Sequence, residues 1–317
     1  MYDYVFALIT VFILVFLLMP VFIRISVKKG FVDKPTERKK HKEPVPLVGG
    51  IVIFIGFAVG YLLFAKPEGM QTYTVLFAAF LILAIGLVDD WFKTRGKEFP
   101  VWPRLLVQIG AAIIVYYSDI VFYGFTNPFN DAYIVLPGFL QFTLTILWLL
   151  GVTTVINWSD GIDGLAGSLT AIAGATLFVV ALAKDRGESA VLCVLVIGAV
   201  LGFLRYNKHP ARVFMGDSGA NFLGFVLGII ALDGAFKQAT LISLFIPVLA
   251  LGVPIFDNLF VILRRFLQGQ PIYKADAGQI HHRLLSSGLH PKQVVAFISL
   301  VSVCLSLVSI ILLLLKV

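Results

Sequence analysis

The stretch Asn157-Trp-Ser-Asp160-Gly-Ile-Asp163-Gly164 lies between two apolar runs, 138–156 and 164–183, that are each long enough to cross a bilayer. About twenty apolar residues in a helix span the hydrocarbon layer. A charged side chain between two such runs lies in or at the edge of the hydrocarbon layer, where it is costly in free energy. Acids placed there therefore usually serve a function. The stretch therefore indicates a helical membrane protein that carries its polar chemistry at helix ends.

Composition supports the same fold class. The 317 residues are 59% hydrophobic and only 14% charged, and the mean hydropathy is +0.95, well outside the usual range of soluble domains. We predict an all-α integral membrane protein that forms a single polytopic domain over residues 1–317, with about ten spans. The predicted spans are 3–24, 47–65, 73–89, 104–120, 138–156, 164–183, 189–206, 219–235, 240–263 and 293–315.

The basic residues predict an orientation. Most of the 25 Lys and Arg residues fall in loops on one side of the ten-span arrangement, and such residues accumulate on the cytoplasmic side of membrane proteins. The first run has almost no basic residue before it and no small-residue cleavage site after it, so we expect a retained helix with the N-terminus outside. The net charge of +7 then fits contact with anionic lipid headgroups, and no nucleic-acid partner is expected.

Carboxylates gather on the predicted cytoplasmic side. Asp89 and Asp90 end one apolar run, and Asp217 begins another within Phe214-Met-Gly-Asp217-Ser-Gly219. Adjacent carboxylates repel each other, which makes one of the Asp89-Asp90 pair a candidate general base. Each acid taken singly could instead cap a helix. On the opposite side, segment 121–137 predicts a short hairpin around a turn at 127–130.

Asn157, Asp160 and Asp163 are three residues apart and would lie near one face of a helix or tight turn. Carboxylate and amide oxygens suit Mg²⁺, or Mn²⁺ as an alternative, better than Zn²⁺. Asp217 would supply a further carboxylate to the same site. The last polar loop reads Asp276-Ala-Gly-Gln279-Ile-His281-His282-Arg283 and follows Arg264-Arg265, which predicts a pocket for an anion.

These motifs occur together in one order along the chain: His41-x-x-Pro44-x-Pro46-x-x-Gly49-Gly50, Asp89-Asp90, Asn157-x-x-Asp160-Gly-x-Asp163-Gly-Leu-Ala, Phe214-Met-Gly-Asp217-Ser-Gly and Ile280-His281-His282. The series resembles the polyprenyl-phosphate N-acetylhexosamine-1-phosphate transferases. Within that family it is similar to the WecA/TagO branch more than to MraY, because the last loop lacks a run of three histidines.

The resemblance implies a reaction at the cytoplasmic face of a bacterial plasma membrane. Undecaprenyl phosphate would attack UDP-GlcNAc and release UMP, as the first membrane step of an envelope glycopolymer such as wall teichoic acid. By motif position, Asn157 and Asp217 would bind Mg²⁺, and Asp89 would be the base. The other implied roles are support of the site by Asp90 and Asp160, uracil contact by Asp163, diphosphate or sugar contact by His281, His282 and Arg283, and phosphate contact by Lys97.

The family often carries His-x-His-His in the last loop, whereas this chain has Gln279 at the first of those positions. Gln cannot be cationic, so the same chemistry with UDP-GalNAc or UDP-MurNAc-pentapeptide remains an alternative. A secondary transporter is a second alternative from another class, although it would place its ionisable residues near the bilayer midplane. The spacing Gly56-x-x-x-Gly60 is compatible with a homodimer.

Overall fold

The structure is a computed structural model that describes residues 2–35, 43–65, 70–127, 130, 132–236, 244–270 and 278–315. His41 and Asp276 of the quoted motifs lie outside these residues. The helices found within them are α1 Tyr2–Lys29, α2 Gly49–Phe64, α3 Met70–Thr94, α4 Val101–Tyr117, α5 Gly138–Trp158, α6 Leu165–Ala183, α7 Gly187–Asn207, α8 Gly216–Ala231, α9 Phe245–Ala250, α10 Gly252–Leu267, α11 Ile280–Ser286 and α12 Pro291–Leu314. A π-helical turn, Leu232–Phe236, continues α8.

Two small antiparallel hairpins complete the described structure. Strand β1 (Val32–Asp33) pairs with β2 (Val45–Pro46), and β3 (Gly124–Thr126) pairs with β4 (Tyr133–Val135). The second hairpin confirms the one predicted between α4 and α5. It lies at the opposite end of the helices from Asp89 and Asp217, because α4 leads away from that end and α5 returns to it. We call the end that holds Asp89 and Asp217 the acid end.

Helices long and apolar enough to cross a membrane confirm the predicted fold class. Within the described residues these are α1, α3 from Tyr73 onward, α5, α6, α7 and α12, and α2 and α4 are shorter apolar helices. The predicted count of ten spans is not confirmed. Helix α8 has only 16 residues before the π-helical turn, and the predicted ninth span is divided.

The break in the predicted span 240–263 has a local cause. Helix α9 ends at Ala250 and α10 begins at Gly252, with Leu251 between them. Pro254 has no N–H to donate to the Ala250 carbonyl, so the helical hydrogen-bond ladder is interrupted at this point. Hydropathy does not reveal such a break, because the residues on both sides are apolar.

Helix α8 lies at the centre of the helices. Every residue from Ser218 to Ala231 is buried, and α8 packs against α2, α3 and α5. Glycines bring the backbones close together: a Cβ on Gly50 would overlap the Gly219 backbone, and one on Gly86 would overlap Ser218. This packing places the start of α8, and with it Asp217, between α2, α3 and α5.

Gly56 and Gly60 pack inside the chain. A Cβ on Gly56 would overlap Val15, and one on Gly60 would overlap Val11, so both glycines face α1. Small residues allow such close helix contacts in membranes. Since this spacing is occupied by α1, it gives no support to the expected homodimer.

Candidate active site

Five side chains from four helices meet at the acid end and form what we call the carboxylate cluster: Asp89, Lys93, Arg104, Asn157 and Asp217. The Lys93 Nζ lies 2.6 Å from Asp217 Oδ2 and 3.9 Å from Asp89 Oδ2. Arg104 Nη1 donates to Asp89 Oδ2 at 2.9 Å and to Asp217 Oδ2 at 3.5 Å. Asn157 Nδ2 donates to Asp217 Oδ1 at 3.3 Å. Two carboxylates thus share two cations, which offsets their mutual repulsion.

The adjacent acids Asp89 and Asp90 face different partners. Asp90 is fully buried and accepts hydrogen bonds from Asp217 N at 2.8 Å, Ser218 N at 3.1 Å and Ser218 Oγ at 2.6 Å. It therefore caps the start of α8, where the free N–H groups and the helix dipole favour a negative charge. Gly216 has φ +72°, and a Cβ there would overlap the Asp90 carboxylate, so this contact requires glycine. Asp90 positions Asp217, whereas Asp89 faces the cations.

Asp160 lies in the turn that follows α5, where its backbone N–H donates to the Asn157 carbonyl at 3.1 Å. Burial and, to a smaller extent, the nearby charges of Asp217 and Asp90 raise the pKa of Asp160 to about 7, although Lys93 opposes this shift. A divalent cation held beside this turn would lower that pKa again. Asp160 thus stands next to the cluster without an ion pair of its own among the described residues.

Asn207 joins two loops at the acid end. Its Oδ1 accepts from Gly164 N at 2.8 Å, and its Nδ2 donates to Val213 O at 2.8 Å. Gly164 has φ +82°, a conformation that favours glycine. The side chain at the end of α7 therefore fixes the loop before α6 to the loop before α8.

Asp163 makes a second connection between the same loops. Its Oδ2 accepts from Ala211 N at 3.1 Å and lies 2.7 Å from His209 Nδ1. A carboxylate can only accept, so Nδ1 of His209 carries the proton in this contact. We call the hydrogen bonds of Asn207 and Asp163 together the loop clamp. It joins segments 160–164 and 207–213.

Helix α11 brings His281 to the same turn. His281 is buried, and a Cβ on Gly161 would overlap His281 Nε2, so the imidazole packs directly on that glycine. The His282 ring lies 4.2 Å from it between centroids. Asp257 of α10 fixes the start of α11, because its carboxylate accepts from Ile280 N at 2.9 and 3.1 Å.

The other predicted cations are not gathered into the carboxylate cluster. Arg283 is exposed, and its guanidinium lies 4.9 Å from the centroid of the Phe260 ring. Arg264 and Lys97 are exposed, whereas Arg265 is buried. No ion pair to Lys97 is found in the part of the chain that the structure describes. Phosphate contact by Lys97 stays a prediction.

Sequence reasoning missed three residues of the site: Arg104, Asn207 and His209. A signal for Arg104 was available: it stands in the first turn of α4, where the helix dipole disfavours a cation unless an acid is near. The sequence around His209 carries no comparable signal, because its partner Asp163 is 46 residues away.

The donor set of the cluster fits a hard cation. Carboxylate oxygens of Asp89 and Asp217 converge there. The Asn157 amide, whose Nδ2 now donates to Asp217, would turn its oxygen towards a bound cation. Mg²⁺ binds through few protein oxygens when waters and phosphates complete its shell. A cage of three or more His, Cys, Asp or Glu ligands is not found among the described residues. The arrangement therefore fits Mg²⁺ shared with a phosphate and does not resemble a closed zinc site.

Comparison with known proteins gives one family and several relatives. The pattern of glycosyl transferase family 4 matches residues 72–235. A probable undecaprenyl-phosphate N-acetylglucosaminyl 1-phosphate transferase of Bacillus subtilis is 39% identical over 94% of this chain and 82% of its own length. A decaprenyl-phosphate N-acetylglucosaminephosphotransferase of Mycolicibacterium smegmatis is 34% identical over 87% of this chain and 74% of its own. A phospho-N-acetylmuramoyl-pentapeptide-transferase of Clostridium novyi is 30% identical, with 92% and 90% covered.

Proposed function

The chain belongs to glycosyl transferase family 4, and from this premise we propose that it transfers N-acetylglucosamine 1-phosphate from UDP-GlcNAc to undecaprenyl phosphate. The products are undecaprenyl-diphospho-GlcNAc and UMP. The carboxylate cluster carries the proposal, because it places acids, an amide and two cations at one end of apolar helices. A phosphate anchored in the membrane and a nucleotide sugar from water can meet only at such a place.

Positive charge is the main requirement of this reaction. An oxygen of the lipid phosphate attacks the β-phosphorus of UDP-GlcNAc, and the bond to UMP breaks. Both reactants are anions, so fixed cations lower the barrier to their approach. Lys93 and Arg104 provide these charges beside Asp89 and Asp217. Arriving phosphate oxygens compete with the two carboxylates for the same N–H donors.

Asp89 is placed to act on the lipid phosphate. It is buried at the end of α3 and directs Oδ2 into the cluster, so it can accept a proton from the attacking phosphate and keep the nucleophile anionic. Asn157 and Asp217 would hold Mg²⁺, which when bound supplies further positive charge to the phosphate oxygens. Asp90 keeps Asp217 in place through the start of α8.

The loops beside the cluster suit the nucleotide sugar. Asp163 offers a carboxylate for the uracil, and α11 presents His282 and Arg283 for the diphosphate or the sugar. His281, packed on Gly161, links these two groups of residues. The excess of Lys and Arg in the loops at this end supports a cytoplasmic active site.

The donor sugar has one competing candidate. The Clostridium novyi relative carries the name of a phospho-N-acetylmuramoyl-pentapeptide-transferase, but its identity to this chain is lower than that of the Bacillus subtilis relative. Gln279, which stands as the N-cap of α11, also separates this chain from a loop with three histidines. Both observations favour UDP-GlcNAc.

Release of UMP by the purified protein tests the proposal. The protein in detergent is mixed with undecaprenyl phosphate and Mg²⁺, and UDP-GlcNAc, UDP-GalNAc and UDP-MurNAc-pentapeptide are compared as donors. We expect lipid-dependent release from UDP-GlcNAc that stops when EDTA removes the metal and returns when Mg²⁺ is added. Release of UMP from another donor alone would overturn the proposed identity of the sugar. No release from any donor by folded protein would overturn the proposed reaction.

A further inference from the structure

His209 lies where three segments of the acid end meet. Its Nδ1 donates to Asp163 Oδ2 in segment 160–164, its own backbone belongs to segment 207–213, and its ring stands edge-on to His290 with centroids 5.4 Å apart and an interplanar angle of 81°. His290 in turn caps α12 by accepting from Lys292 N. The imidazole of His209 is therefore held by a ring contact on one side and by a carboxylate on the other.

These contacts determine the orientation of the Asp163 carboxylate. Both hydrogen bonds that reach it, from His209 Nδ1 and from Ala211 N, end on Oδ2. Among the described residues no hydrogen bond ends on Oδ1, and 20% of the Asp163 side chain is exposed. Two donors on one oxygen restrict rotation of the carboxylate and leave the other oxygen to accept from a ligand.

We propose that His209 is a positioning residue for nucleotide recognition: it holds Asp163 so that Oδ1 accepts the N3–H of uracil. This proposal rests on the proposed function, since it concerns the nucleotide of the same donor. Uracil carries a hydrogen on N3, whereas N3 of cytosine carries a lone pair that a carboxylate repels. A fixed Asp163 therefore selects uridine over cytidine nucleotides, because discrimination is strong where a site is built to pair a specific N–H.

Variants of His209 distinguish the role of its Nδ1–H donor from the role of its ring. In His209→Asn the side-chain amide nitrogen stands near the place of Nδ1, so the hydrogen bond to Asp163 is kept while the ring is lost. In His209→Phe the ring against His290 is kept while the donor is lost. In His209→Gln the amide lies one methylene further out and does not reproduce the Nδ1 geometry. If His209 positions Asp163, UMP binding should be retained in His209→Asn, which keeps the donor, and weakened in His209→Phe, which loses it.

The experiment measures binding of UMP and CMP to the purified full-length protein by isothermal titration calorimetry. For His209→Phe we expect the Kd for UMP to rise about tenfold, the scale of one lost charge-assisted hydrogen bond transmitted through Asp163, with no change for CMP. For His209→Asn we expect UMP binding close to that of the unchanged protein. Thermal unfolding in the same detergent should give similar midpoints for all three proteins.

Several results would overturn the proposal. If His209→Phe binds UMP as tightly as the unchanged protein does, the Nδ1–H donor has no role in nucleotide recognition. Equal losses of UMP and CMP binding, or equal losses in His209→Asn and His209→Phe with lower unfolding midpoints, show a structural role only. If His209→Phe does not fold, His209→Asn must bind UMP more tightly than His209→Gln, and equal affinity contradicts the proposal. An unchanged protein that binds no UMP and releases none contradicts the proposed function itself.

Discussion

The carboxylate cluster and the loop clamp lie at the same end of the molecule but are built from different interactions. In the cluster, charged side chains of α3, α4 and α8 pair with one another. In the clamp, an amide, an imidazole and backbone groups hold two loops together, with Asp163 as its acid. The charges proposed to interact with phosphates are therefore on helices, and the hydrogen bonds proposed to serve nucleobase recognition are on loops.

This difference predicts different kinetic effects. In the proposed reaction, residues of the cluster act on groups whose charge changes during phosphoryl transfer, so their loss should lower kcat. In the same proposal, residues of the clamp act on a part of the substrate that does not react, so their loss should weaken binding and raise KM. A cluster variant that changed only KM, or a clamp variant that changed only kcat, would contradict this difference between the two regions.

The largest effect is expected for Asp217→Asn. Asp217 contacts Lys93, Arg104 and Asn157 at once, and its loss removes the charge on which the cluster depends. We expect kcat to fall about 10³-fold, while the protein remains folded because Asp90 bonds to backbone groups at this position. UMP release gives the rate. Asp233→Asn, in the π-helical turn beyond the far end of α8, is the matched control. More than a tenth of the original activity in Asp217→Asn would contradict the role of Asp217.

The adjacent acids provide the second test. Asp89→Asn should lower kcat about 10²-fold with little change in UDP-GlcNAc affinity, since the carboxylate is the proposed base. Asp90→Asn should instead destabilise the fold by about 2 kcal/mol, because an amide N–H₂ would face the donors at the start of α8. Thermal unfolding and UMP release are measured for both. Equal losses of stability in the two variants would contradict the different roles of Asp89 and Asp90.

A smaller effect is expected for Arg104→Gln. The guanidinium bridges Asp89 and Asp217, but Lys93 still lies 2.6 Å from Asp217 and keeps part of the positive charge. We expect kcat to fall about 30-fold, which is less than the effect of removing a donor whose charge no neighbouring cation replaces. Arg95→Gln is the control, because Arg95 stacks on Trp91 outside the cluster. A change in KM alone would place Arg104 in substrate binding instead.

The smallest effect is expected at Gly161, in the turn between Asn157 of the cluster and Asp163 of the clamp. An added Cβ would overlap His281, so Gly161→Ala should displace α11 from the turn that carries Asp160 and Asp163. We expect kcat/KM to fall about tenfold, since small displacements of substrate-orienting groups are costly. Gly151→Ala, where a Cβ meets open space, serves as the control. Unchanged kinetics in Gly161→Ala would show that α11 moves freely and does not orient the substrate.

Much of the candidate site was predictable because its acids stand at the ends of apolar runs. Asp89, Asp90 and Asp217 are recognisable in this way, and the structure brings all three together. The different tasks of Asp89 and Asp90 were not predictable. Neighbours on a helix point about 100° apart, so their partners depend on which helices pack on each side.

The sequence by itself determined the helical membrane fold, the hairpin between α4 and α5, and the end at which the acids gather. These follow from hydropathy and from the position of charges along the chain, which are local properties. Only the tertiary structure decided the pairing of Arg104 with two carboxylates, the contact of His209 with Asp163 and the packing of His281 on Gly161. Each of these contacts joins residues distant in sequence, and their geometry depends on how the helices are rotated and packed against one another.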